Sequence, residues 1–150
     1  MVSVSGKPST HRRAVATGTL ATRADVVAAI LAGSAPKGDV LAVARVAAIM
    51  GAKNAASLIP LAHPLPLRGV AVDISAAGSC VTVTAAVETE GPTGVEMEAL
   101  TAVSAGLLTV YDMLKKADRG MTIGPIQLVE KTGGQSGTYR RTSGEGGHDG

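Results

Sequence analysis

The chain has 150 residues, 45% of them hydrophobic, and a formal net charge of +2, which suits one ordinary domain with its own core. Its single cysteine, Cys80, excludes an intrachain disulfide and a multi-cysteine metal site. It has no Phe or Trp and two Tyr, so its basic residues lack the aromatic side chains that stack on single-stranded nucleic acid. Because small core side chains bury little area each, contacts between subunits are expected to add stability, which favours an oligomer.

The first third of the chain predicts a strand and two helices. The run RRAVATGTLAT reads as a strand with Gly18 as a bulge or a bend. Residues 23–33 have helical spacing of apolar side chains and stop at Gly33. Asp39 is a natural N-cap for a second helix. The predicted apolar stripe of that helix is Val40, Val43, Ala44, Ala47 and Met50.

A proline segment, IPLAHPLPL (59–67), follows these helices and carries one polar side chain, His63. Proline has no backbone donor and restricts its own φ and its neighbour's conformation, so the segment is predicted to be stiff and extended. A hairpin turning near Ala77–Gly78 comes next, then the longest helix over 95–118 and a last strand within 118–132.

Strands and helices are mixed along the chain rather than strictly alternating, which predicts an α+β sandwich with an antiparallel sheet covered by helices on one face. The glycine- and serine-rich sequence from Gly133 onward has the composition of a disordered tail. No apolar run approaches the about 20 residues of a membrane span, and the N-terminus lacks the apolar segment of a secretory signal. A soluble cytoplasmic protein with no membrane partner is therefore expected.

Three polar residues stand out. An isolated histidine such as His63 is more often structural than catalytic, but a rigid loop favours a functional role. Glu98 lies in the first turn of the long helix, where the dipole alone would explain a carboxylate. Asp112 follows LLTVY in a stretch whose sequence predicts burial, so its side chain should have a perturbed pKa or a charged partner. The simpler alternative is an ion pair with Lys115 on the protein surface.

The spacing of the two acids constrains any shared site. Glu98 and Asp112 lie within ~40° of one helix face but ~21 Å apart along the axis. A site that uses both needs a long ligand or two chains.

Three lysines are candidate anion contacts. Lys37 precedes a helix N-terminus, where backbone N–H groups favour anions. Lys53 ends the same helix, where the dipole is the simpler explanation. Lys131 precedes a glycine run that could hold a phosphate. His11 and His148 lie near the termini, so metal catalysis is disfavoured.

Three long motifs resemble the MoaC family of cyclic pyranopterin monophosphate synthases. They are SLIPLAHPLPL (57–67), GVEMEALTAVSAGLLTVYDMLKK (94–116) and MTIGPIQLVEKTGGQSG (121–137). The resemblance implies one domain over residues 1–137, and the composition of residues 138–150 predicts a disordered tail. The resemblance also implies a ferredoxin-like α+β fold and a homo-hexamer built from dimers, with active sites between subunits.

The resemblance implies a lyase of molybdenum cofactor biosynthesis. Such enzymes convert 3′,8-cyclo-7,8-dihydro-GTP, a nucleotide-derived small molecule, to cyclic pyranopterin monophosphate and release pyrophosphate. No cofactor or protein-bound metal is required by the sequence, and Mg²⁺ would accompany only the triphosphate or pyrophosphate. By position, Asp112 and Lys115 match the catalytic residues. The matching substrate contacts are Leu61, Ala62, His63, Met97, Glu98, Lys37, Lys53, Lys131 and Arg12.

Two positions depart from the family pattern. Ala62 stands where a cysteine is usual, so a catalytic thiol there is not expected, and Ser3 replaces an aspartate, which would loosen the N-terminal arm. The alternative function is a non-catalytic oligomer that binds nucleotides or pterins. A nucleic-acid-binding domain is a third reading, supported only by Arg140 and Arg141.

Overall fold

The computed structural model describes residues 3, 6, 9–135 and 137–142, and its helices and strands are those of this part of the chain. Strands and helices follow the predicted order. The elements are β1 (Thr10–Ala21), α1 (Ala24–Ala32), α2 (Val40–Lys53), α3 (Ala55–Leu58), β2 (Leu67–Ala77), β3 (Cys80–Gly91), α4 (Glu96–Leu114), β4 (Thr122–Thr132) and β5 (Tyr139–Arg140).

The strands form one sheet in the order β2-β3-β1-β4-β5, and every neighbouring pair is antiparallel. Helices connect β1 to β2 and β3 to β4. Without the short edge strand β5, this is the βαββαβ arrangement of ferredoxin-like folds. The predicted α+β class is confirmed, as is the hairpin, which turns at Gly78 with φ of 61°.

The helices cover one face of the sheet. Alternate residues of β1 and β3 are buried, as expected where side chains point to opposite faces in turn. Helix α4 contacts β1, β3 and β4, and α2 contacts α4 and β2. Gly18 permits this close approach, because a Cβ there would lie 2.7 Å from Val103 Cγ1. The predicted bulge is also present, as a shift in the β1–β4 register between Gly18 and Leu20.

The predicted stripe of α2 is wrong in part. Val43 and Met50 are 45% and 49% exposed, and Val46 is 61% exposed. The helix instead packs through its small residues, because α4 comes so close that a Cβ on Gly51 would lie 2.8 Å from Ala105 Cβ. The residues that α2 buries are Val40, Ala44, Ala48, Gly51 and Ala52.

Helix α4 is the core helix of this fold. Within the described residues it is also the single helix whose length and apolar composition would suit a membrane span. Ten of its residues are buried within the fold, and it packs on three strands and on α2. A core helix of this kind meets the same length and composition criteria.

The chain beyond β4 has some regular structure where a disordered tail was predicted. Tyr139 and Arg140 pair with Lys131 and Glu130 of β4, and Arg141 Nε donates to the Leu128 carbonyl at 2.9 Å. The prediction for residues 143–150 lies outside the described residues. So does most of the N-terminal arm that Ser3 was expected to loosen.

Candidate functional site

The proline segment and the start of α4 enclose a cavity of about 270 Å³, the proline cavity. It brings together five of the predicted contacts, from two parts of the sequence separated by the whole β2–β3 hairpin. The residues that line the cavity are Ile59, Leu61, Ala62, His63, Leu65, Thr93, Gly94, Glu96, Met97 and Glu98.

The proline segment is placed by its ends and by the neighbouring sheet. The Ala62 amide donates to the Ile59 carbonyl at 3.0 Å, which forms a turn just before His63. Thr89 Oγ1 of β3 donates to the Pro66 carbonyl at 2.7 Å. Prolines restrict the backbone between these contacts, so His63 is held on a rigid support at the wall of the cavity.

Glu98 is the most unusual residue of this cavity. It is only 6% exposed, and its Oε2 atom has no hydrogen-bond partner among the described residues. Burial is the main reason that the pKa of Glu98 is raised from 4.5 to about 7, and the negative charge of Glu96 adds to the rise. The site therefore contains a carboxyl group that can gain or lose a proton near neutral pH.

Glu96 lines the same cavity and was not predicted as a site residue. Its Oε1 atom is also buried without a hydrogen-bond partner within the described part of the chain. Residues two apart do not share a helix face, so helical periodicity gave no reason to pair Glu96 with Glu98. Both can line the cavity because they start the helix just after Thr93 and Gly94. A Cβ on Gly94 would collide with Glu96 Oε1.

Arg12 lies near this end of the fold but is engaged with the backbone. It is 8% exposed, and its Nε and Nη2 donate to the carbonyls of Gly91 and Pro92 at 2.9 and 3.2 Å. Its Nη1 lies directly against Gly134, which has a φ of 82°. Arg12 therefore fastens the turn that leads into α4 to the glycine run after β4.

Lys131 and Lys53 belong to the same end of the molecule. Lys131 pairs in register with Ala14, two residues from Arg12. Helix α2 runs antiparallel to α4, since Gly51 lies against Thr101 while Gly106 lies against Ala44. The C-terminal Lys53 of α2, which is exposed, is consequently near the N-terminal part of α4.

The other predicted residues meet at the far end of α4. Lys115 Nζ lies 2.9 Å from Asp112 Oδ1, and Lys37 Nζ donates to the Asp112 main-chain carbonyl at 3.3 Å. The hydrogen bond from Lys115 and the charges of Lys115 and Lys37 lower the pKa of Asp112. The expected partner and perturbed pKa are both present. The expected burial is wrong, because Asp112 lies on the solvent side of the helix and its side chain is 63% exposed, whereas the adjacent Met113 and Leu114 are buried.

The predicted site residues thus form two groups at opposite ends of α4, about 21 Å apart along the helix axis. One is a partly open cavity with a histidine and two carboxyl groups. The other is an exposed ion pair with a second lysine beside it. Within the described residues, no three His, Cys, Asp or Glu side chains are grouped to hold a metal ion.

Comparison with known protein families identifies the family of this chain. The MoaC family profile matches residues 1–134. The chain belongs to the MoaC family.

Its relatives in the family are similar along almost their whole length. A protein of Thermomicrobium roseum is 58% identical, over 99% of this chain and 90% of its own. Proteins of Novosphingobium aromaticivorans and a Roseiflexus species are each 55% identical, over 93% of this chain and 89% of their own. All three relatives bear the name cyclic pyranopterin monophosphate synthase.

Proposed function

We propose that this chain is a cyclic pyranopterin monophosphate synthase, an enzyme of molybdenum cofactor biosynthesis. The observation that carries the proposal is the family match over residues 1–134, together with relatives of that name at 55–58% identity. The reaction would convert 3′,8-cyclo-7,8-dihydro-GTP to cyclic pyranopterin monophosphate and release pyrophosphate.

The two groups of residues suit the two parts of such a substrate. The proline cavity is small, partly apolar and lined by His63 and Glu98, which suits a purine-derived ring. The far end supplies Lys37, whose charge suits phosphate oxygens and the negative charge that develops as pyrophosphate leaves, and the Asp112–Lys115 pair. Lys53, Lys131 and Arg12 are the further proposed phosphate contacts. Arg12 would act mainly by charge, since Nε and Nη2 already donate to the backbone.

Asp112 and Lys115 are the proposed proton-transfer pair. The carboxylate and ammonium groups are 2.9 Å apart, within the range for direct proton exchange. Ring opening and closure require such exchange at the C–N bonds that break and form. Mg²⁺, where needed, would arrive with the triphosphate or pyrophosphate, since the described residues offer no group of metal ligands.

Both groups can serve one substrate if two chains contribute. The far end of one chain would face the proline cavity of a neighbour in a hexamer built from dimers, in the cytoplasm. Exposed apolar side chains on the outer surfaces of α2 and α4 support such a contact, because large exposed apolar side chains commonly mark subunit interfaces. They are Val43, Val46, Met50 and Leu108, which are 45–61% exposed.

The test is product formation from the purified chain and the cyclised GTP derivative. We expect pyrophosphate and a product with the mass of the cyclic monophosphate, and no release from GTP itself as the control. Binding of the substrate by calorimetry without turnover would favour the non-catalytic binding oligomer instead. Binding of a random oligonucleotide, with no response to the substrate, would favour the nucleic-acid reading.

A further inference from the structure

The proline cavity contains one deeply buried acid, Glu98, which is only 6% exposed. Glu98 Oε2 and Glu96 Oε1 are both buried without a hydrogen-bond partner among the described residues. A backbone hydrogen bond favours the Glu98 carboxylate, but burial outweighs it, because a buried carboxylate oxygen without a donor is costly, whereas the neutral acid is much less so and also gains an O–H donor. At Glu98, this geometry favours a carboxylic acid over a carboxylate.

The titratable and charged side chains at this end of the fold come from α4, the proline segment, β1 and β4. Glu96 shares α4 with Glu98 and raises the pKa of Glu98 by its charge. His63 lies on the opposite wall of the cavity. Arg12 of β1 is occupied with the Gly91 and Pro92 carbonyls, and Lys131 lies on β4 beside it. The charge that acts on Glu98 is that of Glu96, and it adds to the effect of burial on the pKa of Glu98.

We propose that Glu98 meets the substrate as a neutral carboxylic acid and donates its hydroxyl to an acceptor atom of the purine-derived ring. The inference rests on the proposed function and goes beyond it by assigning the protonation state of this residue. The acceptor class is a ring nitrogen or an exocyclic carbonyl oxygen, the two kinds of acceptor that a purine-derived ring offers. Glu96, next to it, holds the proton on Glu98 by its negative charge.

The inference predicts a loss of activity as pH rises. Because the neutral form would be the working form, wild-type kcat/KM should fall as the pH passes about 7, where Glu98 loses its proton. A glutamine has nearly the same shape and keeps a donor, but it cannot ionise. Glu98→Gln should therefore retain activity at low pH and lack this fall at high pH.

The experiment compares kcat/KM between about pH 5.5 and 8.5 in wild type, Glu98→Gln and Glu98→Ala. Glu98→Ala should lose roughly 10- to 100-fold at the lower pH values, since it removes one buried hydrogen bond. Glu90→Gln is the matched control, because Glu90 is 51% exposed by side chain and pairs with Arg68. We expect the control to follow the wild-type profile.

Opposite profiles would overturn the inference. Wild-type activity that rises through about pH 7, with Glu98→Gln inactive throughout, would make the carboxylate the working form. A Glu98→Gln profile that falls in parallel with wild type would assign the fall to another group. Either result would leave the proposed function intact, because the wild-type chain would still make the product.

A measurement without turnover separates the two proposals. The side-chain carboxyl carbon of Glu98, observed by NMR in ¹³C-labelled protein, should titrate near pH 7 in wild type and at lower pH in Glu96→Gln. If the wild-type chain makes no product at any pH, the proposed function fails, and this titration alone decides the state of Glu98. Titration near the ordinary 4.5 of a glutamate would overturn the inference.

Discussion

The two ends of α4 place acidic side chains in opposite environments. At the N-terminal end, Glu98 is buried in the proline cavity and its pKa is raised to about 7. At the C-terminal end, Asp112 is exposed, pairs with Lys115 and has a lowered pKa. One helix therefore carries a readily neutralised acid at one end and a stable carboxylate at the other.

In both cases the local environment overrides the helix dipole. The dipole stabilises a negative charge at the N-terminus by about 0.3–1 kcal/mol and disfavours one at the C-terminus. On that basis alone Glu98 should be the stronger acid and Asp112 the weaker. Burial at one end and an ion pair at the other reverse this order. Position on a helix is thus a poor guide to protonation once a side chain is covered or paired.

The largest expected effects follow removal of the exposed pair. Asp112→Asn and Lys115→Ala should each lower pyrophosphate release by roughly 10²- to 10⁴-fold, because each removes one partner of the proposed proton transfer. Both side chains are largely outside the core, so circular dichroism and the oligomer size should stay unchanged. Lys116→Ala is the control, since Lys116 is a neighbouring exposed lysine that should be dispensable. Wild-type rates in both pair variants would mean that the exposed end takes no part in the chemistry.

The second prediction asks whether the two ends work together across chains. A His63→Ala chain lacks part of the cavity, and an Asp112→Asn chain lacks the far end, so each alone should be nearly inactive. If sites are shared between subunits, random mixing should restore roughly a quarter of wild-type activity, because half of the dimers are mixed and each has one intact site of two. The measurement is pyrophosphate release after mixing by unfolding and refolding, with mass spectrometry to show mixed oligomers. No recovery in such oligomers would place both residues in a site within one chain.

The two ends of α4 differ in how far their structure could be predicted from the sequence. Strands β1 to β4, the hairpin and the ends of α1 and α2 follow local rules of period, capping and glycine, so they were predicted correctly, whereas β5 lies in the predicted disordered tail and was missed. Helical geometry also placed Glu98 and Asp112 about 21 Å apart. Which of the two is buried could not be predicted, because it depends on whether a distant segment covers that end. The proline segment covers Glu98, whereas the apolar run before Asp112 includes Leu108, which is 61% exposed.

The site itself was predicted mainly through family resemblance. Spacing alone gave His63, Glu98 and Asp112 as candidates with competing structural explanations. It gave no signal for Glu96, whose place in the cavity depends on the turn at Gly94 rather than on helical period. It also could not predict that two donors of Arg12 would be taken by backbone carbonyls 79 and 80 residues away. Contacts over such separations depend on tertiary structure.

The difference between the two ends of α4 should also appear in the pH dependence of stability. In the folded chain the pKa of Glu98 is about 7, against an ordinary value of 4.5, so the folded state binds more protons between these values. Stability from the neutral acid is therefore fully present below 4.5 and is lost as pH rises to about 7. Glu98→Gln does not ionise at this position, so it does not lose this stability as the pH rises. The free energy of unfolding of Glu98→Gln minus that of wild type should therefore increase by about 2–3 kcal/mol from about pH 5 to pH 8. Urea denaturation at a fixed chain concentration measures this difference, since an oligomer's stability depends on concentration.

Asp112→Asn should show the opposite pH dependence, because the lowered pKa of Asp112 stabilises the fold at neutral pH and this contribution disappears in acid. An equal pH dependence in the two variants would mean that burial and pairing do not distinguish the two ends of α4.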